Sequence, residues 1–214
     1  YCEANLGEPD GKTANGLVRH SERYRILALI DSRHVGRDAG EVLDGEPREI
    51  PVRGSLDEVV ERCGCVPGFF IFGMAPTSGV LSADERTGLL GAMALGANVV
   101  NGLHEFLNDD PEFAAAAVAS GVEIVDIRRP PETKRLHMFS GRINEVGCRR
   151  IAVLGTDGAI GKRTTATVLT SALNDRGIRT VMVSTGQTGM IQGAMYGVAL
   201  DALPAQFCAG EMEA

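Results

Sequence analysis

Residues 149–165, RRIAVLGTDGAIGKRTT, join a short apolar run to a glycine-rich loop. The apolar run 151–154 predicts a strand, and Ala166, Leu169 and Leu173, at helical spacing after the loop, predict a helix. A glycine-rich loop between a strand and a helix can point its backbone N–H groups inward, where they and the positive helix N-terminus hold an oxyanion such as phosphate. The stretch therefore predicts an anion-binding site, and a tight turn without a ligand is the alternative.

We interpret this loop as the phosphate-loop pattern G-x-x-x-x-G-K, with Gly155 as its first glycine and Lys162 as its lysine. The pattern continues with a Ser or Thr that holds magnesium, but Arg163 stands there instead. The predicted cofactor-binding residues of the loop are Gly155, Thr156, Asp157, Gly158, Gly161, Lys162, Arg163, Thr164 and Thr165.

The composition is that of an ordinary globular protein, with 44% hydrophobic and 23% charged residues. A length of 214 residues allows one large α/β domain or two small ones. The net charge of -7 argues against nucleic-acid binding, and no apolar run reaches the length of a membrane span. Five irregularly placed cysteines give neither a disulfide framework nor a zinc pattern, so no metal is expected. Without a recognisable signal peptide, the cytoplasm is the expected compartment.

The first 130 residues alternate between strand and helix signals. Residues 1–3 look like the end of a strand, and the apolar runs 25–30, 69–74, 97–101 and 122–127 predict strands buried on both faces. Helix starts are marked by the capping boxes Ser55/Glu58 and Ser82/Glu85 and by Asp110-Pro111. Such alternation predicts a parallel α/β sheet, which binds ligands at the carboxyl ends of its strands.

Candidate site residues follow these strands. His104 and Glu105 could act as a general base and its orienting acid, and an ordinary histidine at a helix start is the alternative. Asp31 ends the strand 25–30, where a dinucleotide-binding fold places its ribose carboxylate, but the first turn lacks G-x-G-x-x-G, which argues against NAD. The polar stretch 32–49 that follows contains His34 and shows no periodicity, which predicts a long functional loop.

Two further segments carry predicted cofactor-binding residues. Lys12 and Thr13 follow Gly11 in a partial phosphate-loop motif, for which a glycine turn with a solvated lysine is the alternative. Gln187 and Thr188 lie in a glycine-bearing loop after the predicted strand 180–184.

Basic residues dominate residues 128–150, which we interpret as a linker with a possible hairpin through 136–146. This basic cluster could surround a multiply charged ligand, or it could be a solvated connector. The predicted domains are residues 1–134 and 135–214.

Five separated motifs closely resemble the DgcN-like family, at residues 11–20, 31–32, 102–106, 155–165 and 184–189. The resemblance runs over essentially the whole chain. It implies a Rossmann-like domain followed by a P-loop domain, and D-glutamate N-acetyltransferase activity with acetyl-CoA as donor and a D-amino acid as acceptor. It also implies that the P-loop domain is truncated, so that the chain is an inactive fragment in which Glu211 and Glu213 begin a further helix.

Other functions stay open at this point. The glycine loop also resembles that of dethiobiotin synthetase, which favours an ATP- and magnesium-dependent ligase or kinase, although Arg163 departs from that protein's lysine-threonine pair. A nucleotide-binding protein without catalysis is a third hypothesis. The expected partners are small-molecule substrates and further copies of the chain in a homo-oligomer.

Overall fold

The computed structural model describes residues 1–76, 79–157 and 160–214. It divides the chain into two compact units, Tyr1–Ile127 and Arg128–Ala214. The division falls ahead of Pro130-Pro131, whereas the sequence predicts the boundary at residue 134. The strands of the described sheets pair in parallel and helices connect them, so the predicted α/β fold is confirmed.

The N-terminal unit alternates strands and helices as predicted. Its described helices are α1 (Lys12–Arg19), α2 (Ala39–Asp44), α3 (Leu56–Cys63), α4 (Ala83–Ala94) and α5 (Pro111–Ser120). Its strands are β1 (Leu29–Ile30), β2 (Val52–Arg53), β3 (Phe69–Ile71), β4 (Asn98–Asn101) and β5 (Ile124–Asp126). Short 3-10 helices cover Pro9–Gly11, Ser32–His34 and Leu107–Asp109.

Residues 1–2 lie in the middle of the N-terminal sheet. The Tyr1 nitrogen donates to the Ile71 carbonyl (2.8 Å), and the Tyr1 carbonyl accepts from the Gly73 N–H (2.9 Å), which is parallel pairing beside β3. On the other side, the Cys2 N–H donates to the Ile30 carbonyl (2.9 Å). These bonds join the β1–β2 pair to the β3–β4–β5 sheet. With residues 1–2 counted as the first strand, the strand order is 3-2-1-4-5-6, which is the order of a Rossmann fold.

Local capping fixes the helices that the sequence predicts. The Ser82 hydroxyl accepts from the Glu85 N–H (3.3 Å) and the Glu85 carboxylate accepts from the Ser82 N–H (2.7 Å), which completes the capping box of α4. Ser55 caps α3 in the same way, but Glu58 returns its bond to the Gly54 N–H (3.0 Å). Each cap needs only residues three or four apart, so the sequence alone identifies it.

The core of the N-terminal unit lies between the sheet and its helices. Phe72, Leu89, Met93, Val99 and Phe113 are each at most 1% exposed and belong to one hydrophobic cluster. Helices α4 and α5 pack against each other, and α4 packs on β4. Burial of each large side chain contributes about 1.5–3 kcal/mol to folding, which fixes the sheet that carries the strand-end loops.

The polar stretch 32–49 is more ordered than the sequence predicts. It contains a 3-10 helix and α2, and the predicted strand 25–30 shortens to Leu29–Ile30. The Asp38 carboxylate organises the stretch, because it accepts from the N–H groups of Gly40 (2.8 Å), Glu41 (3.1 Å), Arg48 (2.9 Å) and Ile50 (2.8 Å). Two of these donors lie ten or more residues away in sequence, so local patterns do not reveal the arrangement.

The C-terminal unit contains α6 (Lys162–Asn174), α7 (Gln187–Gln192), α8 (Ala205–Glu213) and the parallel strands β6 (Val183–Ser184) and β7 (Tyr196–Gly197). Its 3-10 helices cover Thr133–Arg135, Arg142–Asn144 and Leu200–Ala202.

Two elements that the sequence predicts for this unit do not form among its described residues. Residues 151–154 form no strand, and Ile151 and Leu154 are 65% and 84% exposed; a strand needs a partner, which the described residues do not supply. The predicted hairpin at 136–146 is replaced by a 3-10 helix at Arg142–Asn144.

Glu211 and Glu213 lie in α8, which begins at Ala205, so the prediction that they begin a helix is wrong. Glu211 accepts from the His137 N–H (2.6 Å), and Glu213 accepts from the N–H groups of Ser140 (2.7 Å) and Ile143 (2.9 Å). These bonds to the Ile143 and Ser140 N–H groups hold the pKa of Glu213 below its usual value. The carboxylates thus fasten α8 to residues 137–143.

Helix α6 has no buried residue, although Ala166, Leu169 and Leu173 give it the predicted apolar face. Val168, Val181 and Val183 are also 45–63% exposed. Apolar surface of this kind usually contacts further protein.

Candidate functional site

Five predicted site residues lie in segments that follow strands of the N-terminal sheet at its carboxyl edge, namely Lys12, Thr13, Asp31, His104 and Glu105. In a sheet of order 3-2-1-4-5-6, ligands bind at this edge, where the strand order reverses between residues 1–2 and β3. The loops that follow these strands therefore form the candidate site.

Packing explains the glycines around Lys12 and Thr13. A Cβ on Gly11 would lie 2.0 Å from the Asn5 carbonyl oxygen, and one on Gly73 would lie 2.7 Å from the Ala14 Cβ. Lys12 is exposed, whereas Thr13 is 1% exposed. The glycines thus let the start of α1 approach the neighbouring loops closely, and anion binding by Lys12 and Thr13 stays a prediction.

Asp31 is completely buried at the end of β1. Its carboxylate accepts from the N–H groups of Ala4 (3.1 Å), Leu6 (3.3 Å) and Arg33 (2.9 Å) and contacts the His34 Nδ1 (2.9 Å). These contacts make Asp31 the anchor of the loop after residues 1–2, and a ribose ligand for it stays a prediction.

The loop that carries His104 is fixed by Asn101 and Asp126, which the sequence analysis does not single out. The buried Asn101 donates to the Asp126 carboxylate (2.8 Å) and to the Glu105 carbonyl (2.7 Å), and it accepts from the Leu103 N–H (3.0 Å). Asp126 also accepts from the N–H groups of Leu107 (3.0 Å) and Asn108 (3.1 Å). The sequence carries one signal for these two residues, because Asn101 and Asp126 are polar and stand at the ends of the apolar strands β4 and β5.

His104 is exposed on this loop, and Glu105 is partly buried. The Glu105 carboxylate accepts from the Leu81 N–H (3.3 Å), so it ties the segment before α4 to the loop. Orientation of His104 by Glu105 stays a prediction.

The glycine loop of the C-terminal unit is described on both sides of Gly158, which lies outside the described residues. Gly161 takes the left-handed conformation (φ 92°) just before α6, and Lys162 Nζ donates to the Asp157 carbonyl. Five residues separate Gly155 from Gly161, one more than the pattern G-x-x-x-x-G-K allows, so the predicted spacing is wrong. A Cβ on Gly155 would lie 2.5 Å from Ile160 Cδ1 and 2.9 Å from the Lys162 side chain, so a glycine at this position lets both side chains pack against the backbone.

Arg163 faces α7. Its guanidinium donates to the side-chain oxygen of Gln192, which is 3% exposed, and burial lowers the pKa of Arg163. Gly189 lets α7 approach β6, because a Cβ there would lie 2.2 Å from the Ser184 hydroxyl. Gln187 is buried at the start of α7, beside Thr188. Arg163 therefore links α6 to α7, which explains a long side chain where the phosphate-loop pattern has Ser or Thr.

The members of the basic cluster at 128–150 differ in solvent exposure. Arg128 is 5% exposed and donates to the Asp201 carboxylate, whereas Arg149 and Arg150 are exposed. Because Arg128 is buried against Asp201, the exposed members of the cluster are the candidates for contact with a ligand.

An apolar cavity of about 330 Å³ lies beside Tyr1 in the N-terminal unit, and residues 23–30 and 67–71 contribute to its lining. None of the predicted site residues lines it. Within the described residues, no group of three or more His, Cys, Asp or Glu could hold a metal ion. None of the helices described is both long and apolar enough to cross a membrane.

Comparison with known proteins gives two family matches. Residues 32–130 match the Rossmann-like domain DUF1611_N, and residues 137–214 match the P-loop domain DUF1611_C, both described as domains of unknown function. The chain is also similar to a crystal structure of a DUF1611 family protein from Anabaena variabilis, with a TM-score of 0.88 and 35% identity over 99% of this chain and 59% of that chain.

Two curated relatives carry the name D-glutamate N-acetyltransferase. The protein from Tritonibacter scottomollicae is 36% identical over 144 residues, and that from Pseudoalteromonas sp. is 30% identical over 145 residues. Each match covers 67% of this chain but 41% and 42% of the respective relative, so the chain spans less than half of their length. The two domain matches and the shared fold lead to one conclusion: the chain belongs to the DUF1611 family, with that family's Rossmann-like N-terminal and P-loop C-terminal domains.

Proposed function

We propose that the full-length protein transfers an acetyl group from acetyl-CoA to the amino group of a D-amino acid such as D-glutamate. The observation that carries the proposal is the similarity to two relatives named D-glutamate N-acetyltransferase, at 36% and 30% identity.

The reaction joins proton transfer to acyl transfer. The substrate ammonium loses a proton to a base, and the freed nitrogen lone pair attacks the thioester carbon. The carbon–sulfur bond then breaks, the CoA sulfur takes up one proton, and the nitrogen releases a second proton to solvent. The products are the N-acetylated amino acid, CoA thiol and one proton.

The glycine loop is the proposed binding site for the CoA phosphates. Lys162 is the first residue of α6 and already donates to a carbonyl in the loop, at Asp157, so a phosphate oxygen could replace that acceptor. Acyl transfer requires no magnesium, which is consistent with Arg163 where a magnesium-binding hydroxyl is usual.

The proposed acceptor site is the carboxyl edge of the N-terminal sheet. His104, which the sequence predicts as the base, lies exposed there on a loop that Asn101 and Asp126 hold in place. A histidine is suited to the step because its neutral imidazole accepts a proton near neutral pH.

Isothermal titration of the full-length protein with acetyl-CoA, and separately with ATP with and without magnesium, tests the proposal. Lys162→Ala should weaken acetyl-CoA binding about 5- to 150-fold, which corresponds to the ~1–3 kcal/mol of a charge-assisted contact. Arg176→Ala is the control, since this exposed arginine lies just beyond the far end of α6, where its side chain donates to the Ala172 carbonyl (2.9 Å), and it should change the affinity less than about threefold. Magnesium-dependent ATP binding without acetyl-CoA binding would favour a ligase or kinase instead.

A further inference from the structure

The turn after β1 builds an imidazole–carboxylate pair that the sequence patterns do not reveal. Asp31 is 0% exposed, and the Nδ1 of His34 lies 2.9 Å from its carboxylate oxygen, while 24% of the His34 side chain stays exposed. The 3-10 helix Ser32–His34 sets this geometry, because residues three apart lie on the same side of a 3-10 helix.

The hydrogen bonds of Asp31 determine which ring nitrogen of His34 carries the hydrogen. The carboxylate accepts from three backbone N–H groups, those of Ala4, Leu6 and Arg33, and an ionised carboxylate has no hydrogen to donate. With an ionised Asp31 carboxylate, the Nδ1 of a neutral His34 ring donates to it, and this tautomer leaves a lone pair on Nε2. Among the residues that the structure describes, none forms a hydrogen bond with this Nε2.

The backbone around His34 is held on two sides. The His34 carbonyl accepts from the Arg37 N–H (3.1 Å), the Gly36 N–H donates to the Val52 carbonyl (3.1 Å), and the Val52 N–H donates to the Arg37 carbonyl (2.9 Å). Because β2 fixes the turn and Asp31 fixes the ring, the imidazole needs little reorganisation to react.

The pair lies at the carboxyl edge where this sheet type binds ligands. Asp31 also holds the loop after residues 1–2, next to the point where the strand order reverses. The charged neighbours are Glu3, whose carboxylate accepts from the Ser32 N–H (3.0 Å), and the exposed Arg33 and Arg37. Arg33 and Arg37 flank His34 in the sequence, and exposed guanidinium groups of this kind suit a substrate that carries carboxylates.

Two other histidine–carboxylate pairs do not combine a completely buried carboxylate with a position after a strand of the N-terminal sheet. His20 pairs with Glu22 and His137 pairs with Glu211, but the two rings are 41% and 63% exposed, and neither residue follows a strand of the N-terminal sheet. Of these pairs, that of His34 has the most deeply buried carboxylate.

We propose that His34, oriented by Asp31, is the general base that takes a proton from the ammonium group of the acceptor, in place of His104. This assignment rests on the proposed acetyl transfer. The Nε2 lone pair forms an N–H bond as the substrate N–H bond breaks, and the freed amine attacks the thioester carbon. When the carbon–sulfur bond breaks, the sulfur takes the proton from the imidazolium and restores the neutral ring, while the second amine proton goes to solvent. Asp31 acts as a positioning residue.

Chemical rescue in the full-length protein tests the role of His34. His34→Ala should lower kcat for acetyl transfer about 100-fold or more with the fold intact, and added imidazole should restore activity at least tenfold. His20→Ala, which removes an exposed histidine of a similar pair, should stay within about threefold of wild type. His34→Ala activity within threefold of wild type, or a loss that imidazole does not restore, overturns the assignment.

A second measurement does not depend on activity. Nitrogen-15 NMR of the wild-type protein should show a hydrogen on Nδ1 of His34 and a bare Nε2 in the neutral ring, and the opposite tautomer overturns the assignment. Absence of acetyl transfer by wild type would refute the proposed function, whereas active wild type with active His34→Ala and impaired His104→Ala would refute only the role of His34.

Discussion

The loop at residues 102–108 should loosen when the Asp126 carboxylate is removed. Asp126 accepts from the Asn101 side chain (2.8 Å), the Leu107 N–H (3.0 Å), and both the N–H (3.1 Å) and the side chain (2.8 Å) of Asn108. Asn108 is exposed, so water can replace its two bonds. The bonds to Asn101 and Leu107 are partly buried, and at about 1–1.5 kcal/mol each their loss destabilises the loop by about 2–3 kcal/mol.

Native-state hydrogen exchange measures this effect directly. In Asp126→Ala the Leu107 N–H should exchange about 30- to 150-fold faster, since 1.4 kcal/mol is a factor of ten, and the Val99 N–H inside the sheet should keep its rate. In Asp126→Asn, which keeps one side-chain oxygen, the exchange rate of the Leu107 N–H should lie between those of wild type and Asp126→Ala. Asp57→Ala removes an exposed carboxylate on α3 and serves as the control. A Leu107 rate within threefold of wild type in Asp126→Ala would show that Asp126 does not hold the loop.

Three further predictions concern the remaining contacts. Arg163→Ala and Gln192→Ala should each destabilise the C-terminal unit by about 1 kcal/mol, and the double variant should add little, because both remove the same bond; urea unfolding of the four proteins checks this. Burial alone would raise the pKa of Asp38, but four backbone N–H groups lower it overall, so its carboxylate stabilises the fold above the unfolded-state pKa near ~4 and loses this effect as the pH falls through the lower folded-state pKa. Asp38→Asn replaces the oxygen that accepts from the Ile50 N–H with an NH2 group, so it should lower the free energy of unfolding by about 1–2 kcal/mol at pH 7, with a shrinking difference below about pH 4 in denaturant titrations. Gly210→Ala should release α8, because the new Cβ would lie 2.0 Å from the His137 carbonyl oxygen; a cost of about 1–3 kcal/mol should appear as faster proteolysis at residues 137–143.

Features of the fold that depend on neighbouring residues could be predicted from the sequence. The capping box of α4 needs only Ser82 and Glu85, and the cap of α5 needs only Asp110 and the residues after it. The composition of residues 151–154 predicts a strand, and this prediction is wrong because a strand also needs a pairing partner, which comes from residues distant in the sequence. Helix α2 was missed because its anchor, Asp38, accepts from Arg48 and Ile50 beyond the helix.

The candidate site shows the same division between local and distant information. The position of Asp31 at a strand end was readable, but its bonds to Ala4 and Leu6 come from a loop more than twenty residues earlier. The sequence shows that Arg163 departs from the phosphate-loop pattern, which has Ser or Thr at this position, but only the structure identifies Gln192 as its partner. The sequence thus predicts the edge of the sheet for the candidate site, and tertiary contacts identify which side chains are anchors there.

An assay of acetyl transfer by the full-length protein tests the proposed function, with mass spectrometry of the amino acid and release of the CoA thiol as its two readouts. With acetyl-CoA and D-glutamate, the proposal predicts N-acetyl-D-glutamate and one CoA thiol for each acetylated molecule, with slower transfer to L-glutamate. Absence of acetylated product, together with ADP formation from ATP and magnesium in the presence of an acceptor, would contradict the acetyltransferase account and support the ligase or kinase alternative.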